Sequence, residues 1–481
     1  MKRYFKSFLS FLKTKKFPNK EDILMLRDSP FSYSKSVIIV FIIAVVGLFL
    51  HLLLAISNTI TTEVPDYGGT IVEGVIGAPR FINPLLATSE TDQALSSLVF
   101  APITSLAKEC IGSPDGKSYQ CVLPEKTFFS NKSPLTSADV LFTFTTKKVL
   151  ETNRDPESAW REISIEAPDD LTVRVSTTGN KNALIEKMSL GIVPKALWEG
   201  VPLESIQDST LNLEPVGAGA FKIASINYTN SLPSEVALVP NPHFIHDKPF
   251  IKHLFIRSYT NQLDLASALH NHEVDSTNAL KSDYLDTVIK NNFSLTPITS
   301  TKTVALWVSQ DQSTSQGAQK LESVGGMIDR NKILDTIEHG YGIPLYLKET
   351  TRSSPKATSK AGEVTISIAV QKDTELLKIA EMLSNALQEF GILSTIQVFD
   401  QGLFIDQVRL GQYPFILVAS QETIQGYQHL IPLYTKSFVH IASRDIHTTM
   451  PETILSPHES LSNASKWFVR TDKVWKWFIH K

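Results

Sequence analysis

Hydrophobic and polar positions alternate in three different ways along this chain. The first pattern is a single block: from Val37 to Ile56 no charged residue interrupts an apolar run, and His51 is its one titratable group. At about 1.5 Å per residue, roughly twenty helical residues span about 30 Å, the hydrocarbon thickness of a bilayer, whereas a secretory signal core needs only about 7 to 15. The run therefore predicts a membrane-spanning helix over 37–57. A cleaved signal is the poorer reading, since Leu54-Ala55-Ile56-Ser57 is a weak cleavage site and no cysteine stands just after the run to take a lipid. A buried core helix would ordinarily keep one polar face. Lys2, Arg3, Lys6, Lys13, Lys15, Lys16, Lys20, Arg27 and Lys35 precede the run, while Glu63 and Asp66 follow it. That asymmetry sets residues 1–36 in the cytoplasm as a basic tail and everything after Ser57 outside. Within the tail, Tyr4 to Leu12 is weakly amphipathic and suited to anionic lipid.

The second and third patterns are the periods of strand and helix. Residues 58–67, with Thr, Pro and Gly, read as a linker, and Thr70 to Gly74 as a strand. Thr136-Ser-Ala-Asp139 is a capping box that opens a helix to about Leu150, and Leu171 to Ser176 alternates as a half-buried strand. The clearest switch of period comes later. Val364, Ile366, Ile368 and Val370 alternate; Asp373 caps a helix whose Leu376, Ile379, Ala380, Leu383, Leu387 and Phe390 share a face; Gly391 ends it; Ile392 to Phe399 is the next strand. Strand, helix and strand with short links make a parallel βαβ unit. The part beyond the membrane is thus α/β with mixed sheets, and Lys348 to Gly362, rich in Ser, Thr and Lys, reads as an exposed loop.

Composition adds limits. Hydrophobic residues make up 42% and charged residues 20% of 481 residues, with a formal net charge of -3. Such a chain is globular and carries no electrostatic footprint for nucleic acid. Its two cysteines, Cys110 and Cys121, flank Asp115-Gly116, a strong hairpin turn signal. Folding at that turn sets the cysteines opposite each other on the outer side, where a disulfide is permitted, although Pro114 lacks an N–H and could widen the loop and shift the pairing.

Catalytic patterns are missing. The chain has no Gly-x-Ser-x-Gly elbow, His-Glu-x-x-His or P-loop, and Gly217-Ala-Gly219 lacks the third glycine of a dinucleotide fingerprint. His243, His246, His253, His270 and His272 match no zinc spacing, and Asp264, Glu273 and Asp275 suit capping and solvation. No enzyme, metal site or cofactor is expected. Trp307, Tyr413, Phe415 and Tyr427 suit either a core or the wall of a small-molecule site.

The order of several blocks resembles one family. Gly68-Gly-Thr-Ile-Val72 and Pro79-Arg-Phe-Ile-Asn-Pro-Leu-Leu-Ala-Thr88 open it; Asp115 to Tyr119 and Phe129 to Phe144 follow; then come Pro215-Val-Gly-Ala-Gly-Ala-Phe-Lys222, Asn241-Pro-His-Phe244, Ala268 to Asp275, Ile328-Asp-Arg330 and Phe390-Gly-Ile392. In this order they resemble the family 5 extracellular solute-binding proteins, the oligopeptide, dipeptide and nickel receptors of ABC importers. The resemblance implies a two-lobe α/β periplasmic-binding-protein-like fold (type II) with a third inserted domain. Mapped here, the solute-binding domain is 68–481: lobe one takes 68–95, 188–305 and 436–481, the insertion 96–187, and lobe two 306–435. It also implies a monomer that binds a peptide or similar small solute, works with ABC permease subunits and closes about a hinge. Asn83, Trp307, Ser420, Gln421 and Tyr427 would line the cleft, with Asn83 equally suited to a turn before Pro84. The sequence departs from the family at Gly411-Gln-Tyr-Pro414 and Val418-Ala-Ser-Gln421, where relatives carry a turn aspartate, a tryptophan and a further aspartate near the ligand. The usual lipid-bearing cysteine is also missing, and the apolar helix would replace it. A fold kept as an envelope scaffold or sensor, without a transport ligand, is the alternative.

Overall fold

The computed structural model describes residues 33–475, except 157, 286–291, 310–327, 340–341, 346–363, 390–391, 401–402, 405–406, 409–410, 412, 421–426 and 455–456. The basic tail up to residue 32, the expected loop Lys348–Gly362 and Gln421 therefore lie outside the described residues. Two compact units divide the chain: Met1–Val64 with Thr471–Lys481, and Pro65–Arg470.

In the first unit the apolar run forms α1 (Tyr33–Ile60), a helix of 28 residues. No proline interrupts it, and Gly47 is its one glycine. Its side chains are described from Ile39 to Leu52, and they are exposed: Phe41 is 69% and Leu48 72% accessible. Among the residues whose side chains are described, which in α1 are 39–52, no helix is long and apolar enough to cross a membrane. After α1 the expected open linker is in fact β1 (Thr61–Asp66), paired with the C-terminal strand Arg470–Trp475. The β-branched Thr61, Thr62 and Val64 favour extended backbone, and the Thr471 hydroxyl donates to Glu63 at 3.4 Å. The stretch from Thr471, read above as part of lobe one, thus groups with the N-terminal helix.

The second unit begins with β2 (Thr70–Ile76), whose Ile71, Glu73 and Val75 face one core. Next comes α2 (Glu90–Val99), capped by Ser89, whose hydroxyl accepts the Asp92 N–H at 3.1 Å. Asp92 in turn accepts the N–H groups of Arg80 and Phe81, at 2.7 and 3.0 Å, and so holds the Pro79–Thr88 segment against the helix.

A small antiparallel sheet follows, ordered β3-β4-β6-β5, from β3 (Glu109–Gly112), β4 (Ser118–Val122), β5 (Ile163–Glu166) and β6 (Thr172–Thr177). Helix α3 (Ser137–Arg154) packs on it, and its capping box forms: the Thr136 N–H donates to Asp139 Oδ2 at 2.8 Å. The core here holds Phe129, Val140, Phe144, Trp160 and Val173. At the β3–β4 turn Gly116 takes φ +72°, and Asp115 accepts from the Ser113 hydroxyl at 2.6 Å, which holds its carboxyl below the usual range. Pro114 does not shift the pairing. Cys110 sits opposite Cys121 and the two are bonded.

Among the described residues the large sheet has twelve strands. In chain order they continue with β7 (Phe221–Thr229), β8 (Leu232–Pro240), β9 (His253–Tyr259), β10 (Ser276–Thr277) after α4 (Gln262–His270), and β11 (Phe293–Ser309). Then come α5 (Arg330–Ile337), β12 (Ile343–Pro344), β13 (Val364–Gln371), α6 (Thr374–Glu389), β14 (Ile392–Phe399), β15 (Phe415–Ser420), β16 (Tyr427–Ser443) and β17 (Thr453–Ile454). The order is β14-β13-β15-β11-β16-β10-β2-β9-β8-β7, with β12 on β16 and β17 on β11. The βαβ unit has parallel β13 and β14, and Asp373 caps α6 by accepting the Leu376 N–H at 2.9 Å.

Separate cores lie at the two ends of this sheet, one around Ile71, Leu95, Phe221 and Trp467, the other around Val304, Leu306, Ile379 and Leu417. Two 17-residue strands, β11 and β16, lie side by side in the middle of this order, with Val304, Leu306 and Leu433 in the second core and Phe293, Val439 and Ile441 in a further cluster with Leu265 and Leu269. Between the pairs Thr299↔Ser437 and Thr303↔Thr435 their register shifts, so that Ser300, Thr301 and Lys302 face Lys436 alone. A bulge of this kind bends a ladder locally and keeps the pairing on either side of it.

Candidate functional site

Two glycines bring the pieces of the site together. A Cβ on Gly217 would lie 2.0 Å from Val99 O, and one on Gly219 would lie 2.5 Å from Leu98 O, so only glycine lets this loop reach the end of α2. The Asn241 side chain locks the approach by donating to Gly219 O at 2.8 Å. Gly217-Ala-Gly219 is therefore a close backbone contact.

Beside this contact opens a cavity of about 1050 Å³. Helix α2 contributes Gln93, Ser96 and Ser97, the last turns of α3 contribute Lys147, Glu151 and Arg154, and the bulge contributes Lys302. Phe100, Trp160 and Phe244 supply rings, and Thr453, Ser462 and Ser465 supply hydroxyls. Much of its charge is already paired. Lys147 Nζ lies 2.9 Å from Glu151 and also donates to Leu85 O at 2.9 Å, and Lys187 lies 2.7 Å from Glu186 and over the Trp160 ring. Apolar rings with a few convergent polar groups are the ordinary make-up of a small-solute site.

The expected site residues fall in two places. Asn83 is fully buried; its amide donates to Asn212 Oδ1 at 3.1 Å and its carbonyl accepts the Leu85 N–H at 3.0 Å. It shapes the turn whose next residue, Pro84, lines the cavity. At the other end of the sheet, Trp307 is 8% exposed in a cluster with Ala305, Ala369, Phe404 and Ile416, and its indole N–H has no acceptor. Ser420 pairs with Thr303 beside the bulge, and Tyr427 opens β16 opposite Ser309. Gln421 lies outside the described residues. Among the described side chains, those of Asn83, Trp307 and Ser420 do not line the cavity. Lys302 and Arg154 do, and sequence reasoning missed both. A signal existed for Lys302: Thr299-Ser-Thr-Lys-Thr303 breaks the alternation of a strand with five polar residues in a row.

Acidic groups singled out by sequence serve the fold. Asp275 Oδ2 accepts the Val72 N–H at 2.8 Å, and Asp264 Oδ2 accepts from Thr260 and Asn261 at 2.9 and 2.8 Å. Among the described residues no group of His, Cys, Asp or Glu could hold a metal ion. Two buried titratable groups stand apart. Glu73, fully buried and in contact with the Ser276 hydroxyl, is pushed up to about 8 by burial. His440, packed against Trp467 with neither ring nitrogen bonded, is pushed down to about 3 by burial.

A family model described as bacterial extracellular solute-binding proteins, family 5 Middle, matches residues 82–361. The oligopeptide-binding protein AppA of Bacillus subtilis (strain 168) is 21% identical over 306 residues, covering 60% of this chain and 55% of that protein. The probable D,D-dipeptide-binding periplasmic protein DdpA of Escherichia coli (strain K12) is 22% identical over 340 residues, covering 64% and 63%. The chain thus spans less than two thirds of the length of either relative. The ABC transporter substrate-binding protein CtaP of Listeria monocytogenes superposes with a TM-score of 0.66 at 16% identity, over 84% of this chain and all of that one. That likeness establishes the two-lobe α/β fold.

Proposed function

Because the chain belongs to the bacterial extracellular solute-binding proteins of family 5, we propose that it captures a peptide or similar small solute outside the cytoplasm and hands it to ABC permease subunits. Its work is binding and transfer, not catalysis. The observation that carries this reading is the cavity of about 1050 Å³ beside the bulge of β11, where bending of β11 and β16 would change its width. Trp307 and Ser420, with Gln421 and Tyr427 by sequence, would be the wall that such bending brings toward a bound solute; Asn83 holds the turn on the other side.

The tether is the second part of the proposal. Helix α1, with its apolar run and the basic residues before it, would cross the membrane once, N-terminus inside, and keep a monomeric receptor at high local concentration beside its permease.

Calorimetry with a mixture of short peptides tests the binding. Uptake of peptide with a thermal shift is expected, since a ligand that binds only the folded state raises stability by about 2.7 kcal/mol at a hundred times its Kd. No uptake and no shift would leave the fold as a scaffold.

A further inference from the structure

Resting on the tether in that reading, we propose that residues 473–481 dock on the lipid headgroup layer beside the point where α1 leaves the bilayer, as a second membrane contact of the chain. The direction of two strands carries them there. Strand β18 (Arg470–Trp475) pairs with β1, and β1 follows α1 without an intervening residue. A Cβ on Gly69 would meet the Val469 side chain at 2.9 Å, and one on Gly68 would meet that of Arg470 at 3.1 Å. The Thr471 hydroxyl then reaches Glu63. Falling numbers on one strand meet rising numbers on the other, so the pair is antiparallel and β18 runs toward α1. Each strand has 6 residues, which sets Trp475 about level with Thr61, the residue that follows the helix.

The residues that arrive there suit that layer. From Lys473 the sequence reads Lys-Val-Trp-Lys-Trp-Phe-Ile-His-Lys481, with three lysines, two tryptophans and no acidic residue. Tryptophan rings favour the headgroup level, where their body is apolar and their N–H is wet. Lysine stems lie along apolar surface while their ammonium groups meet lipid phosphates. The other four tryptophans of the chain, Trp160, Trp198, Trp307 and Trp467, are no more than 8% exposed and belong to protein cores. Strands β1 and β18 form a two-stranded sheet on which Thr471, Asp472 and Lys473 are exposed. Two strands alone are only marginally stable in water, and a lipid surface that takes apolar side chains at the end of the pair supplies the missing burial. The positive charge of the segment favours anionic headgroups over an apolar protein face as the occupant. The membrane then holds the chain at two places far apart in sequence.

The test reads tryptophan emission from the full chain in vesicles of phosphatidylcholine and phosphatidylglycerol whose acyl chains are either plain or brominated just below the headgroup. Bromine quenches only rings that reach the lipid. Helix α1 contains no tryptophan and four of the chain's 6 are buried, so Trp475 and Trp477 are the reporters. Brominated lipid is expected to lower the emission by about a third, two emitters of 6. Trp475→Phe combined with Trp477→Phe should abolish the quenching while the protein still floats with the vesicles. Full emission from vesicle-bound protein, or undiminished quenching in the double variant, overturns the interfacial contact and leaves the tether intact. A chain that does not float with the vesicles overturns the tether and this contact together.

Discussion

His339 Nε2 lies 2.7 Å from Asp283 Oδ1, and this contact joins the segment after α5, beside the core around Val304 and Ile379, to the segment after β10, beside the cluster of Leu265, Leu285 and Ile441. It does not stand alone. Glu375, in the first turn of α6, reaches Lys436 of β16 at 2.5 Å and Lys281 at 3.8 Å, while the Tyr434 hydroxyl donates to Glu338 at 3.0 Å. Burial raises the Glu338 carboxyl above its usual range and likewise raises the Tyr434 phenol. Lys436 is the residue opposite the bulge, so this polar network clasps the bulge.

Breaking the clasp should loosen the hinge more than it unfolds the protein. Glu375→Gln removes the partner of two lysines that are partly exposed, and such pairs contribute about 1 kcal/mol or less. A small fall in melting temperature is expected, together with an altered radius of gyration by small-angle scattering. An unchanged scattering profile would mean that the network does not bias the hinge.

Stability should fall on both sides of a mildly acidic optimum. Glu73 has its folded pKa raised from 4.5 to about 8, so its stabilisation is complete below about pH 4.5 and is lost as pH rises toward 8. His440 has its folded pKa lowered from 6.5 to about 3, so its contribution is complete above about pH 6.5 and is lost as pH falls toward 3. Each slope is at most about 1.4 kcal/mol per pH unit. Denaturant melts from pH 4 to 8 check this: Glu73→Gln should flatten the alkaline decline, and a parallel curve in that variant would remove Glu73 from the account.

The bridge between Cys110 and Cys121 closes a loop with a sequence separation of 11 and should contribute about 2–3 kcal/mol. Thiol alkylation of protein taken from its native compartment, without reductant, should label neither cysteine. Reduction should lower the melting temperature.

A single methyl at Gly217 should be costly, because its Cβ would meet Val99 O at 2.0 Å. Gly217→Ala is expected to lose at least about 2 kcal/mol, read by denaturant melts, since backbone on both sides of the contact would have to move.

What the sequence made legible was local. The β13–α6–β14 unit could be read because its period changes from two to 3.6 and back, with a capping Asp373 between, and each of those signals acts within a few residues. The Cys110–Cys121 hairpin was legible for the same reason. The site was not, because its geometry is set by partners far apart: Asn83 with Asn212, Gly217 with Val99, and Lys302 with a cavity built by α2 and α3. The strand β1 was missed because Pro65 and Gly69 look like a linker until a partner strand, Arg470–Trp475, is supplied from the other end of the chain.

A short peptide or similar solute in the cavity is detectable by native mass spectrometry of the gently purified full chain. An added mass matching a peptide is expected after incubation with a mixed short-peptide pool, as is its loss when the cavity is narrowed by Ser97→Trp on α2. A protein that stays at its bare mass with every pool offered would contradict it.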